Sequence, residues 1–150
     1  MKKLIATILT ACAISGFAQN VNIPDAKFKA TLVRVGVDTN KDGEIQVIEA
    51  EAVKELQVVY SGIQDLTGIE AFVNLTKLEC RDNSLTSLDV SKNTALKVLD
   101  CNWNLSLASL DVSNNTALTE LRCAKNQLTS LDVSNNTVLE YLFCNTNQLT

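Results

Sequence analysis

The sequence predicts a mostly β protein, a short solenoid of parallel strands with a small α-helical cap at its N-terminal end. Two observations carry this prediction. Before position 53 the apolar residues recur at helical spacing, and after it the chain repeats itself every 21–22 residues. We expect residues 19–52 to form the cap and residues 53–150 to form the solenoid. The repeat units begin at Val53, Leu75, Leu96, Leu118 and Leu139.

Residues 1–18 have the pattern of a signal peptide. Two lysines precede an apolar run over residues 4–14, and residues 15–18 end in small side chains. The run is too short for a stable transmembrane anchor. We therefore expect cleavage after Ala18 and a secreted or cell-surface protein without a transmembrane segment. An alternative is lipid attachment at Cys12, because residues 9–12 resemble a lipobox.

Composition and charge exclude several classes of function. The chain is 46% hydrophobic and 20% charged, as in globular proteins. Without the two lysines of the signal peptide, 13 − 2 = 11 basic residues face 17 acidic ones, a net charge of −6. This balance argues against nucleic acid and anionic membranes as partners. The absence of histidine excludes Ser-His and Cys-His catalytic pairs, so we expect a protein that is not an enzyme.

The cap is expected to contain two helices. The first covers residues 23–37, where Pro24 suits the first turn, Asp25 complements the helix dipole and Gly36 ends the helix. A second, shorter helix is expected from Glu49 to Leu56. The buried face of the first helix is predicted to contain Phe28, Leu32 and Val35.

Between the two helices, residues 38–49 have the spacing of the twelve-residue calcium loop of an EF-hand. Calcium takes six to eight oxygen ligands, and alternate residues of a tight loop direct their oxygens to one centre. Gly43 stands at position 6, where such a loop turns sharply. A single loop favours a structural calcium site over a calcium sensor, and a solvated acidic turn is the alternative. The predicted ligands are Asp38, Asn40, Asp42, the carbonyl of Glu44, Gln46 through water, and Glu49.

The first half of each repeat unit reads as a short strand. In the second unit, Leu78 and Cys80 face inward while Lys77, Glu79 and Arg81 face outward. The second half, Thr-Ser-Leu-Asp-Val-Ser in its commonest form, is a poor helix sequence and has the same apolar spacing, which predicts another strand-like segment. Two columns of asparagines are expected to bond the backbone of the turns. They are Asn83, Asn104, Asn126 and Asn147 in one column, and Asn93, Asn115 and Asn136 in the other.

The pattern L-x-x-L-x-C-x-x-N-x-L resembles a leucine-rich repeat. Residues 63–70, Ile-Gln-Asp-Leu-Thr-Gly-Ile-Glu, resemble the lead-in of internalin-like and related secreted bacterial proteins. The resemblance covers roughly residues 53–150 and implies a curved parallel solenoid. It also implies further repeats and a C-terminal export or anchoring region, so that the solenoid is expected to be truncated at Thr150.

Four cysteines occupy one inward position in successive units. A straight column of parallel side chains is poor geometry for disulfides and cannot surround zinc tetrahedrally, although both remain alternatives. We interpret the four as buried free thiols. They are Cys80, Cys101, Cys123 and Cys144.

The outward residues of the two halves differ in kind. We call the second-half positions, Ser-x-Asp-x-Ser in each unit, the uniform face, since they hardly change. Its aspartates are expected to accept hydrogen bonds within their own turns, and a cation bound along the aspartate column is the alternative. We call the outward first-half positions the varied face. Unlike side chains at equivalent sites, aromatic residues among them, predict a binding surface. Its predicted ligand-binding residues are Lys77, Glu79, Arg81, Val98, Asp100, Trp103, Glu120, Arg122, Tyr141 and Phe143.

The sequence therefore predicts a secreted or cell-surface binding module that recognises a protein or a glycan and contains calcium in its cap. Two alternatives are a targeting region of a larger secreted enzyme and a purely structural spacer. The sequence does not name the ligand.

Overall fold

The computed structural model describes residues 19–150 as a parallel β-solenoid with two short helices at one end. The predicted signal peptide, its cleavage after Ala18 and the alternative at Cys12 lie outside the described residues. Within the described part of the chain, no helix is long and apolar enough to cross a membrane. The helices are α1 (Ala26–Arg34) and α2 (Val47–Ala52), and a 3₁₀ turn spans Ile69–Ala71. The strands are β1 (Glu55–Gln57), β2 (Lys77–Glu79), β3 (Val98–Asp100), β4 (Glu120–Arg122) and β5 (Tyr141–Phe143).

The five strands form one parallel sheet in chain order. Leu56 pairs with Leu78, Leu78 with Leu99, Leu99 with Leu121 and Leu121 with Leu142, so each coil takes 21 or 22 residues. A three-residue strand cannot bury its leucine alone, and stacking of successive coils makes one continuous core. The predicted fold class is confirmed.

The core is a column of leucines with smaller residues beside them. Leu78, Leu99 and Leu121 are fully buried, and so are Leu96 and Leu118 at the start of their coils. Burial of a leucine side chain contributes about 1.5–3 kcal/mol. The last coil differs, because Leu142 of β5 remains 41% exposed.

Helix α1 is shorter than the predicted range of 23–37. Asp25 is its N-cap and accepts hydrogen bonds from the backbone amides of Lys27 at 2.8 Å and Phe28 at 3.0 Å. At the other end Gly36 adopts a φ of 87°, a left-handed conformation that glycine tolerates best. Phe28 and Leu32 are buried as predicted, but Val35 lies at the helix end and is 43% exposed, which corrects its assignment to the core.

The second predicted helix, residues 49–56, is wrong at both ends. Helix α2 begins two residues earlier at Val47 and ends at Ala52. Leu56 belongs to strand β1, since its backbone pairs with that of Leu78 in the next coil. Pairing with the next coil, 22 residues further along the chain, decides the structure of this segment, and a local reading of the sequence has no access to it.

The second half of each coil contains turns where strand-like segments were predicted. An isolated parallel bridge joins Asp89 to Asp111, and the amide of Asn93 bonds the carbonyl of Val90 at 2.9 Å. Leu96 then bonds the carbonyl of Asn93 at 3.1 Å. These consecutive turns bring the chain back to the next strand without a helix, as the composition predicted.

Candidate functional site

The varied face is built on the regular register of β1 to β5. Because side chains alternate along a strand, the residues before and after each buried leucine point away from the core. The register places two columns side by side on this face. One column is Glu55, Lys77, Val98, Glu120 and Tyr141, and the other is Gln57, Glu79, Asp100, Arg122 and Phe143.

Two close ion pairs lie on the varied face. Lys77 Nζ lies 2.8 Å from Glu79 Oε1, and Arg122 Nε lies 2.5 Å from Glu120 Oε1. Since these side chains are partly exposed, each pair contributes little to stability. Their effect is to leave a surface of compensated charge, which is typical of the rim of a protein interface.

Asp100 departs from the prediction of an exposed ligand-binding residue. It lies on the varied face but is only 4% exposed. Its Oδ1 accepts the amide of Asn102 at 3.1 Å, and Arg81 Nε is 3.8 Å from its Oδ2. Burial raises the pKa of Asp100, and the hydrogen bond from Asn102 and the charges of Arg122 and Arg81 only partly oppose that effect. Asp100 is therefore an incompletely paired carboxyl group beneath the surface.

Three aromatic rings on the same side of the coils are covered by cations. Lys125 Nζ lies 3.8 Å from the ring centre of Trp103. The guanidinium of Arg122 lies 5.5 Å from the centre of the Phe143 ring. Contacts at such distances contribute about 0.5–1 kcal/mol at exposed sites. They hold the exposed aromatic side chains in defined positions.

Tyr60 is a site residue that the sequence reading missed. It is 70% exposed, and Arg81 lies over its ring at 5.2 Å while donating a hydrogen bond to its hydroxyl oxygen at 3.1 Å. The first repeat unit is degenerate, with Ser61 in the asparagine column. Alignment on Ser61 would have placed Tyr60 in the same column as Trp103.

That column has an unusual backbone. A positive φ of 51–57° occurs at the residue directly before Ser61 and before each asparagine of the column Asn83, Asn104, Asn126 and Asn147. Asparagine and glycine tolerate this left-handed region best, and other residues are disfavoured there by about 1–2 kcal/mol. The column consists of Tyr60, Asp82, Trp103, Lys125 and Thr146.

The uniform face satisfies its aspartates locally. Oδ1 of Asp89 accepts the amide of Ser91 at 2.9 Å, and Asp111 and Asp132 repeat this bond with the serine two residues on, each at 2.8 Å. These backbone bonds and the serine hydroxyls lower the pKa of all three aspartates. The aspartates therefore stabilise their own turns.

The predicted calcium loop is closed by Glu49. Its Oε1 accepts the amide and the hydroxyl of Thr39, both at 2.7 Å, and its Oε2 accepts the amide of Gln46 at 3.0 Å. Burial opposes ionisation of Glu49, but the hydrogen bonds from Gln46, Thr39 and Asn40 outweigh it and lower its pKa. Asp38 likewise accepts the amides of Lys41, Asp42 and Gly43, at 2.6, 3.2 and 2.9 Å.

Three other side chains of the loop converge. Asn40 Nδ2 donates to Asp42 Oδ2 at 3.0 Å and to Gln46 Oε1 at 2.9 Å, and Gln46 Nε2 donates to Asp42 Oδ2 at 3.0 Å. The side chain of Glu44, whose predicted ligand atom is the backbone carbonyl oxygen, pairs with Lys29 at 2.6 Å. Among residues 19–150, no three His, Cys, Asp or Glu side chains gather as a metal-binding group. The side chains that converge as possible metal ligands are therefore one carboxylate and two amides.

The loop has a pairing partner that the sequence did not reveal. The amide of Val21 donates to the carbonyl of Ile45 at 2.8 Å, and the amide of Val47 donates to that of Gln19 at 2.9 Å. Asn20 and Gln46 thus form an antiparallel bridge. The segment before α1 holds the loop from the side, although no second loop is present in the described residues.

The four described cysteines are free thiols in one column. Cys80, Cys101 and Cys123 are buried, and Cys144 is half-buried in the last coil. Burial raises the pKa of all three buried thiols, that of Cys123 to about 12. Protonated buried thiols act as small apolar residues here and supply no nucleophile.

The coil register and the parallel sheet define a parallel-strand solenoid, and its fold matches the leucine-rich-repeat domains of internalins. Internalin J from Listeria monocytogenes serotype 4b (strain F2365) is 41% identical over 82 residues, which are 53% of this chain and 9% of that protein. A solved structure of the functional domain of InlJ from Listeria monocytogenes, which includes a cysteine ladder, matches with a TM-score of 0.80. It is 42% identical and the match covers 88% of this chain and 29% of that one.

More distant structures share the fold. The internalin InlF of Listeria monocytogenes matches with a TM-score of 0.61 at 20% identity, over 91% of this chain and 48% of that one. Internalin C2 matches with 0.60 at 19% identity, over 88% and 70%. No protein-family model matches the chain. The chain spans 9% of the length of Internalin J and 29% of the InlJ structure, so it corresponds to a small part of each.

Proposed function

We propose that this chain is a secreted or cell-surface binding module that is not catalytic and recognises a protein or a glycan on its varied face. The observation that carries the proposal is the contrast between the two faces of the same coils. Equivalent backbone positions carry identical residues on the uniform face and unlike residues on the varied face, where Trp103, Tyr141 and Phe143 are about half exposed. Exposed aromatic residues beside arginines are typical of interface anchors.

Secretion is supported by the signal-peptide pattern of residues 1–18. Export would leave a mature chain that begins at Gln19, whose carbonyl already accepts the amide of Val47. Mass spectrometry of the protein secreted by its native host tests this directly. A mass that corresponds to cleavage after Ala18 supports the proposal, whereas a diacylglycerol adduct on Cys12 supports the lipid alternative.

A non-catalytic role is supported by the chemistry of the site. The chain contains no histidine, and Glu79 and Glu120 of the varied face are paired with a lysine and an arginine. The buried cysteines are protonated at neutral pH because burial raises their pKa. No activated nucleophile therefore faces a cleft among the described residues.

A structural calcium ion in the cap is part of the proposal, because the loop residues fit the ion. All predicted donors are oxygens, and the side chains of Asn40, Asp42 and Gln46 already converge. Glu49 would have to exchange its bonds with Thr39 for the ion, so calcium and the closed loop compete for one carboxylate. We expect weak affinity, on the order of 0.1–1 mM.

Calorimetry and thermal unfolding with millimolar calcium test this site. Calcium should raise the melting temperature of the parent chain. Asp42→Asn should bind about tenfold more weakly, because it removes one of the ligand charges that tune affinity. The replacement amide keeps an oxygen for the amide of Glu44, so the loop should fold. An Asp111→Asn variant on the uniform face is the control. No heat of binding and no shift of the melting temperature would reject the calcium site.

Binding to arrays of extracellular proteins and glycans tests the main proposal. Tyr141→Ala or Phe143→Ala should reduce binding of any ligand found by about thirtyfold, as expected for anchor residues. Asp111→Ser and Asp132→Ser should leave it unchanged. Loss of binding with the aspartate variants alone would place the ligand on the uniform face. A chain that binds nothing on either face would be the structural spacer.

A further inference from the structure

One coil of the array is longer than its neighbours on the varied side. The coil of β3 has Leu105 between Asn104 and Ser106, where the preceding coil passes directly from Asn83 to Ser84. This extra leucine is 61% exposed. Insertions in single repeats map to loops on one face of a solenoid, often the binding face.

The insertion disturbs the backbone pairing of the coils. Ser84 donates its amide to the carbonyl of Ile63 at 2.8 Å, and Gln127 and Gln148 make the same bond to the coil before their own. In the described part of the chain the corresponding bond to Leu85 is absent. The extra residue therefore breaks the regular backbone bond to the preceding coil and exposes an apolar side chain, while its own carbonyl accepts a hydrogen bond from the side chain of Gln127 in the next coil.

Leu105 and three left-handed residues, Tyr60, Asp82 and Trp103, line a cleft of about 310 Å³, which we call the edge cleft. Tyr60 and Trp103 contribute the aromatic walls, and Tyr60 is the most exposed of the three apolar residues. Both aromatic residues occupy backbone positions that disfavour them. Strained residues that persist on a surface are a reason to look for function.

The charged and amide groups of the edge cleft already have partners within the chain. Asp82 pairs with Arg81 at 3.1 Å. Asn83 accepts the amides of Ser61 and Ile63 and donates to the carbonyls of Val58 and Cys80. Among the side chains that line the cleft, the hydroxyls of Ser84 and Ser106 and the indole N–H of Trp103 make no hydrogen bond to described residues. Three neutral groups are fewer than the hydroxyls of a sugar ring, so a sugar in this cleft would leave several of its hydroxyls without a protein partner.

We infer that the edge cleft takes one uncharged apolar side chain, leucine or an aromatic residue, of a partner protein. A charged group would find the carboxylate of Asp82 compensated and the ammonium of Lys125 already over the ring of Trp103. An apolar group finds two rings and a leucine and loses no hydrogen bond. The paired charges of the adjacent strands then form the polar rim of the interface.

This inference rests on the proposed function, since both place the ligand on the varied side, but it names the partner chemistry and adds Tyr60 and Leu105. The chain contains one tryptophan, so the indole N–H signal of Trp103 in an NMR spectrum reports on this cleft alone. The probes are the blocked tripeptides Ac-Gly-Xaa-Gly-NH2 with Phe, Leu, Lys or Glu at Xaa, together with methyl glucoside.

We expect the Phe and Leu peptides to shift the indole signal in a saturable way, and the Lys and Glu peptides and the glucoside to leave it in place. Deletion of Leu105 leaves Asn104-Ser106-Leu107, the same three residue types as Asn83-Ser84-Leu85, so this variant should fold. This deletion should weaken the binding of the Phe and Leu peptides at least about tenfold. Tyr60→Asn should do the same, because asparagine tolerates the left-handed backbone.

Asp111→Ser is the control, because this residue lies on the uniform face outside the cleft, and it should not change the indole response. A stronger response to the glucoside than to the peptides would overturn the inference in favour of a sugar site. A response that survives deletion of Leu105, or no response to any probe, would also overturn it. None of these three results would reject the proposed function if binding of a ligand to the varied face depended on Tyr141 or Phe143.

Discussion

The two sides of each coil differ in what they keep constant. On the strand side, the surface residues vary while the asparagine column beneath them is fully bonded. Asn104 accepts the amide of Leu85 at 3.1 Å and donates to the carbonyls of Cys101 and Cys80. On the turn side, the surface is uniform, yet Oδ1 of Asn93, Asn115 and Asn136 is buried without a hydrogen-bond partner in the described chain. A variable surface is thus built on the better-bonded scaffold.

This difference implies unequal costs for the two asparagine columns. Asn104→Ala leaves the buried amide of Leu85 without its partner, whereas the carbonyls of Cys80 and Cys101 keep their bonds from Asn83 and Asn126. We expect this variant to lower the free energy of unfolding by about 2–3 kcal/mol. Asn115→Ala orphans neither of its two partners, because the carbonyls of Val90 and Asn93 still accept backbone amides of their own turn. It also removes an oxygen that had no partner, so we expect a smaller loss of about 1 kcal/mol. Urea unfolding of both variants measures this. Equal losses would remove the distinction between the two scaffolds.

The pKa values of the aspartates on the two sides should be shifted in opposite directions. Burial raises the pKa of Asp100 on the strand side, whereas bonds to Ser91 lower the pKa of Asp89 on the turn side. As pH falls from neutral, Asp100 is protonated first, and the destabilisation that its buried charge causes is then lost. The stability that Asp89 contributes is present above its ordinary pKa of 3.8 and is lost as pH falls through its lower folded value.

NMR titration of the side-chain carboxyl carbons measures both values. Asp100 should titrate above 3.8 and Asp89, Asp111 and Asp132 below it. Asp100→Asn should raise stability at neutral pH, since it removes an incompletely paired buried charge. An Asp100 that titrates below the turn-side aspartates would show that Arg81 and Arg122 pair with it closely in solution.

The smallest expected effect concerns the left-handed column of the strand side. Thr146→Asn should raise the free energy of unfolding by about 0.5–1 kcal/mol, because threonine is disfavoured at its φ of 57°. Thr129→Asn is the matched control, as Thr129 is exposed and has no positive φ. Urea unfolding should show a gain for position 146 alone. A loss there would indicate that the column is not strained in solution.

The regular part of this molecule was predictable, and its exceptions were not. The 21- and 22-residue spacings fixed which leucines pair, because parallel stacking permits one register for a repeated buried position. Residues 49–56 could not be assigned correctly, because Leu56 joins the sheet through a partner 22 residues away. The cap loop was recognisable from its oxygen spacing, but its pairing with the segment around Asn20 depends on the folded path of the chain.

The candidate site was predicted in outline. The alternation of side chains along β2 to β5 was enough to place Tyr141 and Phe143 at the surface. Burial of Asp100 could not be foreseen, since it depends on how the side chains around it pack. Tyr60 was missed because its repeat unit lacks the asparagine that marks the column elsewhere. Leu105 can be seen in the sequence as one extra residue in a coil, but its place in the wall of an exposed cleft is known only from the structure.

Site-specific photocrosslinking tests the central claim most directly. A benzoylphenylalanine placed at Val98 on the varied face, or at Ser109 on the uniform face, would be exposed to extracellular protein and glycan fractions. Both positions lie in the same coil, so the two variants share one scaffold. We predict saturable crosslinks from Val98 that excess unlabelled chain competes away, and none from Ser109. Saturable crosslinks from Ser109 alone would show that the uniform face is the binding surface.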